Sequence, residues 1–148
     1  MPEALTLQGT LLGFDFGLRR IGVAAGQTMT GTAGSLEVVR HADQPDWRAI
    51  ERLVSEWRPC AFVVGLPLDG DGNETEMSRQ ARQFGSQLAS RFDRPVYYMD
   101  ERLSSAAAQE QFVDARAQGR VRAKGAKRLD ARAAQIILEN WLQSQSGH

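Results

Sequence analysis

Hydrophobic positions in this chain come at two spacings. Leu11 to Phe16 and Ile21 to Ala25 are short, nearly continuous apolar runs joined by Gly17-Leu18-Arg19-Arg20, which predicts two strands of a tight hairpin. A third strand is expected over Ser35 to Val39. After Pro45, Asp46 suits a helix N-cap, and Trp47, Ile50, Leu53, Val54 and Trp57 recur on one helical face until Pro59 closes the run. Ala61-Phe62-Val63-Val64-Gly65 reads as a central parallel strand that ends at Leu66-Pro67. A loop rich in Gly and Asp covers Leu68 to Glu74, and Met77, Ala81, Phe84 and Leu88 then mark a long helix. Val96 to Met99 is the next strand. Ser104 or Ser105 can cap a helix through Ala106, Ala107, Phe112 and Val113, which Gln118-Gly119 stops. A last helix is expected from about Leu129 to Gln143, with Ala133, Ala134, Ile137 and Trp141 on its packed face.

The resulting order is three strands, helix, strand, helix, strand, helix, helix. An antiparallel opening followed by alternating strands and helices predicts an α/β fold: a mixed five-stranded sheet with helices on both faces. Ligands of such sheets gather at the carboxyl ends of parallel strands. Asp15 and Asp100-Glu101 stand at such ends. An acid at the end of an apolar strand is costly unless a cation or a donor meets it. Asp130, at the start of the last helix, shares the face of Ala133, Ala134 and Ile137 and so points inward; taken alone, it is explained more simply by the positive end of the helix dipole.

Composition narrows this picture only a little. A chain of 148 residues with 42% hydrophobic content is expected to form one domain, 1–148, with one sizeable core. The single cysteine, Cys60, allows no internal disulfide and no zinc cluster. The first residues lack a basic start and a long apolar core, and no run approaches a membrane span, so a soluble cytoplasmic protein without a membrane partner is expected. Net charge is zero, yet Arg116, Arg120, Arg122, Lys124, Lys127 and Arg128 form a run with no acid among them, leaving minus six on the remainder. That run is either a solvated loop or a grip on a phosphate backbone, and charge alone does not choose.

Acids so placed suit a hard divalent cation such as Mg²⁺ or Mn²⁺, which takes oxygen ligands. No histidine is then needed, and His41 and His148 are placed in a loop and at the C-terminus, poor positions for acid-base work. Arg19 and Arg20 in the hairpin and Arg102 after Glu101 either contact phosphates or pair with the nearby acids. Lys124, Lys127 and Arg128 are stronger candidates for nucleic-acid contact, having no acids in their own segment. Gly17 and Gly22 are expected to allow close backbone approach or positive φ, and Gly65 and Pro67 to shape a strand exit. Tyr97, Tyr98 and the tryptophans read as core. Asp69 to Asn73 begins like a calcium loop but has Glu74 where that loop needs Gly and Gln80 where it needs Glu. Asp15-Phe16-Gly17 matches a kinase tripeptide without the rest of the kinase motifs.

Four segments together resemble the YqgF family, also called RuvX, of RuvC-like resolvases: Asp15-Phe16-Gly17-Leu18-Arg19-Arg20-Ile21-Gly22-Val23-Ala24, Val63-Val64-Gly65-Leu66-Pro67-Leu68, Asp100-Glu101-Arg102-Leu103-Ser104, and Asp130 with Ala133-Ala134-Gln135-Ile136-Ile137-Leu138. The similarity spans roughly residues 9 to 143. It implies an RNase H-like fold and a bacterial nuclease, homologous to Holliday junction resolvases, with processing of the 5′ end of pre-16S ribosomal RNA as its role. Carried over by position, Asp15, Glu101 and Asp130 are the catalytic and metal-binding set, with Asp100 a further candidate ligand. The expected arrangement has Asp15 bridging two ions while Glu101 and Asp130 bind one each, and cutting leaves 5′-phosphate and 3′-hydroxyl ends. Where relatives tend to carry Asn, this chain has Asp69. Structured RNA is the expected partner and branched DNA the alternative, bound by a monomer or weak homodimer. A non-catalytic ribosome-binding protein of the same fold is a third reading. Sugar kinases and actin-like ATPases share the fold and the Asp-x-Gly hairpin, but need a second similar domain for which this chain is too short.

Overall fold

A computed structural model of the protein describes residues 8–101 and 131–146. The predicted helix after Ser104, the basic run 116–128, Arg102, Asp130 and His148 lie outside the described residues. The elements in chain order are β1 (Thr10–Asp15), β2 (Arg20–Gln27), β3 (Thr32–Arg40), α1 (Trp47–Trp57), β4 (Ala61–Leu66), α2 (Glu76–Phe92), β5 (Val96–Asp100) and α3 (Arg132–Ser146). They form a five-stranded sheet in the order β3-β2-β1-β4-β5. β1 to β3 are joined antiparallel, and β4 and β5 are added parallel to β1. This is the expected mixed sheet.

Several element ends differ by one to three residues from the hydrophobic pattern, and two of the largest shifts are at the starts of β3 and α3. β3 begins at Thr32 instead of Ser35, because an edge strand pairs on one side only and its exposed Thr32 and Gly34 carry no apolar signal. α3 begins at Arg132, where the carbonyl of Ala131 accepts from Gln135 N at 3.2 Å, so the described helix starts just after Asp130 in the chain.

Helix caps explain the other ends. The Asp46 side chain accepts from Ala49 N at 3.2 Å, and Arg58 closes α1 in a left-handed conformation (φ 48°) just before Pro59. Thr75 and Ser78 cap α2 reciprocally: Thr75 Oγ1 accepts from Ser78 N (3.0 Å) and Ser78 Oγ accepts from Thr75 N (2.7 Å).

Strand alternation sorts the core into two layers. Leu12, Phe14, Ile21, Val23, Phe62 and Val64 face α1 and α2, which contribute Trp47, Ile50, Leu53, Ala81, Phe84 and Leu88. Leu11, Ala24, Ala61, Val63 and Met99 face α3, which contributes Ala133, Ala134, Ile137, Leu138 and Trp141. The predicted helical stripes are therefore mostly the buried ones; Met77, in the first turn of α2, is only partly buried, and Trp57 is 36% exposed. It stands at the last turn of α1, where it lines a cavity of about 330 Å³ with the small residues Ala25 and Gly34 and with Leu36.

Candidate functional site

β1 turns Leu11 and Gly13 toward α3, and the same alternation turns Asp15, its last residue, toward α3 at the carboxyl edge of the sheet. Asp15 is half-buried and pairs with Gly22 of β2. On its other side the register runs Phe14 to Val64, so the next step carries Asp15 and Gly65. Gly65 in turn pairs with Met99 of β5, and Glu101 lies two residues beyond Met99. A Cβ on Gly65 would lie 3.0 Å from Glu101 Oε2 and 2.5 Å from Ile137 Cδ1. The Glu101 carboxylate thus lies over Gly65, on the α3 face that also carries Asp15. With neighbouring strands about 4.8 Å apart, glycine on the strand between the two acids lets Ile137 and the Glu101 carboxylate close over the backbone, in the place any other residue's side chain would take. Asp100 is paired with Leu66, which alternation assigns to the α1/α2 face, so it points away from Glu101.

The third predicted acid, Asp130, is outside the described residues, but its chain neighbour Ala131 is buried against the sheet. A Cβ on Gly22 would meet Ala131 Cα at 3.6 Å, so Ala131 stands over the residue paired with Asp15. Among the described residues no group of three or more His, Cys, Asp or Glu is gathered to hold a metal ion. Asp15 and Glu101 are the two predicted acids that the described structure brings to one face.

The hairpin turn after Asp15 is tight. Gly17 needs no positive φ; a Cβ there would come within 2.6 Å of the Arg20 carbonyl oxygen, so close backbone approach is the reason for glycine. Leu18 is 55% exposed and Arg19 is exposed as well. Among the described residues neither Arg19 nor Arg20 forms an ion pair, so pairing with the nearby acids is not realised there. His41, at the end of β3, reaches this turn: its Nδ1 is 2.7 Å from the Gly17 carbonyl oxygen, its backbone N donates to Arg19 O at 3.0 Å, and its ring lies 5.1 Å from that of Phe16. No local sequence pattern announces this contact. Gly65 left a faint signal, a glycine ending a β-branched strand.

The loop leaving β4 is held by its own polar groups. Asp69 Oδ1 accepts from Asp71 N and Asn73 N, both at 2.9 Å, an acceptor-only task that Asn performs equally well. That carboxylate is occupied as a turn former, consistent with the discounted calcium loop. Thr75 Oγ1 donates to Pro67 O at 2.9 Å, tying the loop to the strand exit. Glu74 accepts from Arg82 Nε and Nη2, both at 3.1 Å, and this guanidinium holds its carboxyl below the ordinary glutamate range. Arg102, Lys124, Lys127 and Arg128 lie outside the described residues. No helix among the described residues is long and apolar enough to cross a membrane.

A family model described as "RuvX: Holliday junction resolvase" matches residues 9–144. A protein of Hydrogenovibrio crunogenus named "Putative pre-16S rRNA nuclease" is 47% identical over 93% of this chain and 96% of its own length. Proteins of the same name from Xanthomonas euvesicatoria and Burkholderia mallei are 46% and 45% identical, over 96% and 100% of this chain and 94% and 97% of their own lengths. Among solved structures, the Fowlpox virus resolvase in complex with substrate Holliday junction DNA aligns with a TM-score of 0.54 at 12% identity, covering 91% of this chain and 97% of that one. RuvC of Thermus thermophilus aligns with a TM-score of 0.50 at 18% identity, over 93% and 96% of the two chains. These structural likenesses establish the RNase H-like fold.

Proposed function

We propose, for a chain that belongs to the RuvX family and is a nuclease, that it hydrolyses RNA phosphodiester bonds with the help of divalent metal, in maturing the 5′ end of pre-16S ribosomal RNA in the cytoplasm. The observation that carries this reading is the placement of Asp15 and Glu101 on one face about Gly65, with Ala131 over Gly22 beside them. Carboxylate oxygens fit a hard cation, and the absence of a side chain at Gly65 lets the Glu101 carboxylate lie over the strand next to Asp15. Asp15 and Glu101 would hold Mg²⁺ or Mn²⁺ together with Asp130, the preceding neighbour of Ala131. Bound there, such ions supply an activated water and neutralise charge on the leaving oxygen. The chain's own cations complete the site. Arg19 and Arg20 draw the phosphate backbone to the acids, which would otherwise repel it, and Lys124, Lys127, Arg128 and Arg102 are further cations proposed to contact it. Cutting leaves 5′-phosphate and 3′-hydroxyl ends.

Cleavage of a pre-16S RNA fragment by Asp15→Asn tests the scheme. The substitution keeps size and removes charge, so metal-dependent cleavage should fall roughly 10²-fold or more, corresponding to the several kcal/mol that a bound ion contributes. Undiminished metal-dependent cutting rules the scheme out, and a wild-type protein with no saturable Mg²⁺ or Mn²⁺ site in titration is a binder, not a catalyst. The family description favours one second reading, resolution of four-way DNA junctions. A resolvase makes paired symmetric cuts and needs a stable twofold dimer, so gel filtration with junction DNA set against RNA precursor separates the two.

A further inference from the structure

We propose that His41 is a positioning residue for this site: its imidazole fixes the turn after Asp15, so that Leu18 and Arg19 meet the substrate strand from a set place. The kinetic part of the argument rests on the nuclease reading; the geometry does not.

His41 touches Phe16 by ring contact, Gly17 by its side chain and Arg19 by its backbone, three of the four residues that follow Asp15. It is itself held, since His41 bridges to Pro45 and Asp46 N donates to Arg40 O at 2.9 Å. A carbonyl oxygen can only accept, so Nδ1 must carry the proton in the bond to Gly17. Phe16 packs with the α1/α2 core, the layer opposite to Asp15. His41 therefore grips the turn from behind the acids, which excludes it as their co-ligand and suits it to hold what stands in front of them. The turn presents a large exposed apolar side chain, Leu18, next to exposed Arg19. An apolar tip beside a cation matches an unstacked nucleotide, whose base offers apolar surface and whose phosphate offers charge. Fixing the turn in advance removes an ordering cost that substrate binding would otherwise bear.

The test compares His41→Ala, His41→Gln and His41→Asn with the wild type, measuring KM and kcat on the RNA fragment. Asn can place its amide N–H near the former Nδ1, whereas Gln extends past it and Ala donates nothing. The Ala and Gln variants should raise KM about tenfold, about 1.4 kcal/mol, with kcat within about twofold and Asn close to the wild type. A purely structural role would make the three variants alike, or lower kcat in step with thermal stability, and either result overturns the inference. If the wild type cuts no RNA, the nuclease reading has failed on its own, and the same ranking is sought in Kd for that RNA without divalent ion; equal Kd values overturn the inference there. An independent readout is the imidazole ¹⁵N spectrum: neutral His41 should be protonated at Nδ1, and protonation at Nε2 refutes the geometry.

Discussion

The two faces of the sheet are packed by opposite means. Toward α1 and α2 the sheet presents Phe14 and Phe62, and Phe84 of α2 sits among Phe14 (5.3 Å), Phe16 (5.3 Å) and Trp47 (5.7 Å). Toward α3 it presents Gly13, Gly22, Gly26 and Gly65, against Ala131, Ala134, Ile137, Leu138 and Leu142. Large rings supply buried area and interlocking shape, so the first face contributes most to cohesion. Small residues supply little area but let a helix lie almost on the strands. Asp15 and Glu101 are on this second face. On the proposed reading, stability and chemistry are thus assigned to different sides of one sheet, and substitutions on each side should have different consequences.

The largest effect is expected at Phe84. Truncation to Ala empties the centre of the aromatic layer and should cost about 3–5 kcal/mol in urea unfolding, while molecules that remain folded keep their metal affinity, because neither Asp15 nor Glu101 faces that layer. Metal affinity that falls as far as stability does would show that the two faces are not separable. Gly65→Ala is the converse case. Its Cβ would meet Ile137 Cδ1 at 2.5 Å and Glu101 Oε2 at 3.0 Å, so overpacking of about 1–3 kcal/mol should accompany a loss of metal binding and cleavage. Gly22→Ala provides the control, since its nearest neighbour would be at 3.6 Å, an ordinary contact. Equal damage from the two alanines would refute the idea that the missing side chain at Gly65 in particular serves the site.

Much of this arrangement was legible in the chain because it depends on local pattern. β1, β2 and β4 are continuous apolar runs, and the period in Trp47, Ile50, Leu53 and Val54 named the buried face of α1 before any contact was known. Asp15 and the pair Asp100-Glu101 stood out because an acid at the end of such a run needs an explanation, whereas the choice of Glu101 over Asp100 came from the family resemblance. The role of Gly65 was not, since it depends on which residues lie abreast across β1, β4 and β5, a matter of register that one strand's sequence does not encode. His41 was set aside for acid-base work, and its placement with Phe16 agrees; that it holds Gly17 follows only from the way β3 ends beside the first hairpin. Trp57 was expected to be buried because the helical period includes it, but the period does not report what the sheet offers beneath the last turn.

The smallest expected effect sharpens the same division from the charged rim of the aromatic side. Glu74 accepts from Arg82, whose guanidinium also lies 5.2 Å from the Tyr98 ring, and from Ser78 Oγ at 3.0 Å. Its folded value is depressed, chiefly by the Arg82 hydrogen bond. A depressed carboxyl contributes stability that is fully present above its unfolded value, about 4.3, and that is lost as pH falls through the lower folded value. Stability measured from pH 7 down to about pH 3 should therefore fall more steeply in the wild type than in Glu74→Gln, which keeps an acceptor for Arg82 but has no charge to titrate. The pair is solvent-exposed, so the difference should be slight and should shrink in about 1 M salt, where the Debye length is near 3 Å. Because Glu74 belongs to the cap of α2 and not to the acid-bearing face, the substitution should leave metal affinity at neutral pH unchanged. Identical pH slopes would remove Glu74 from the account of that rim, and a change in metal affinity would mean that the loop leaving β4 transmits to the acids what the sheet keeps apart.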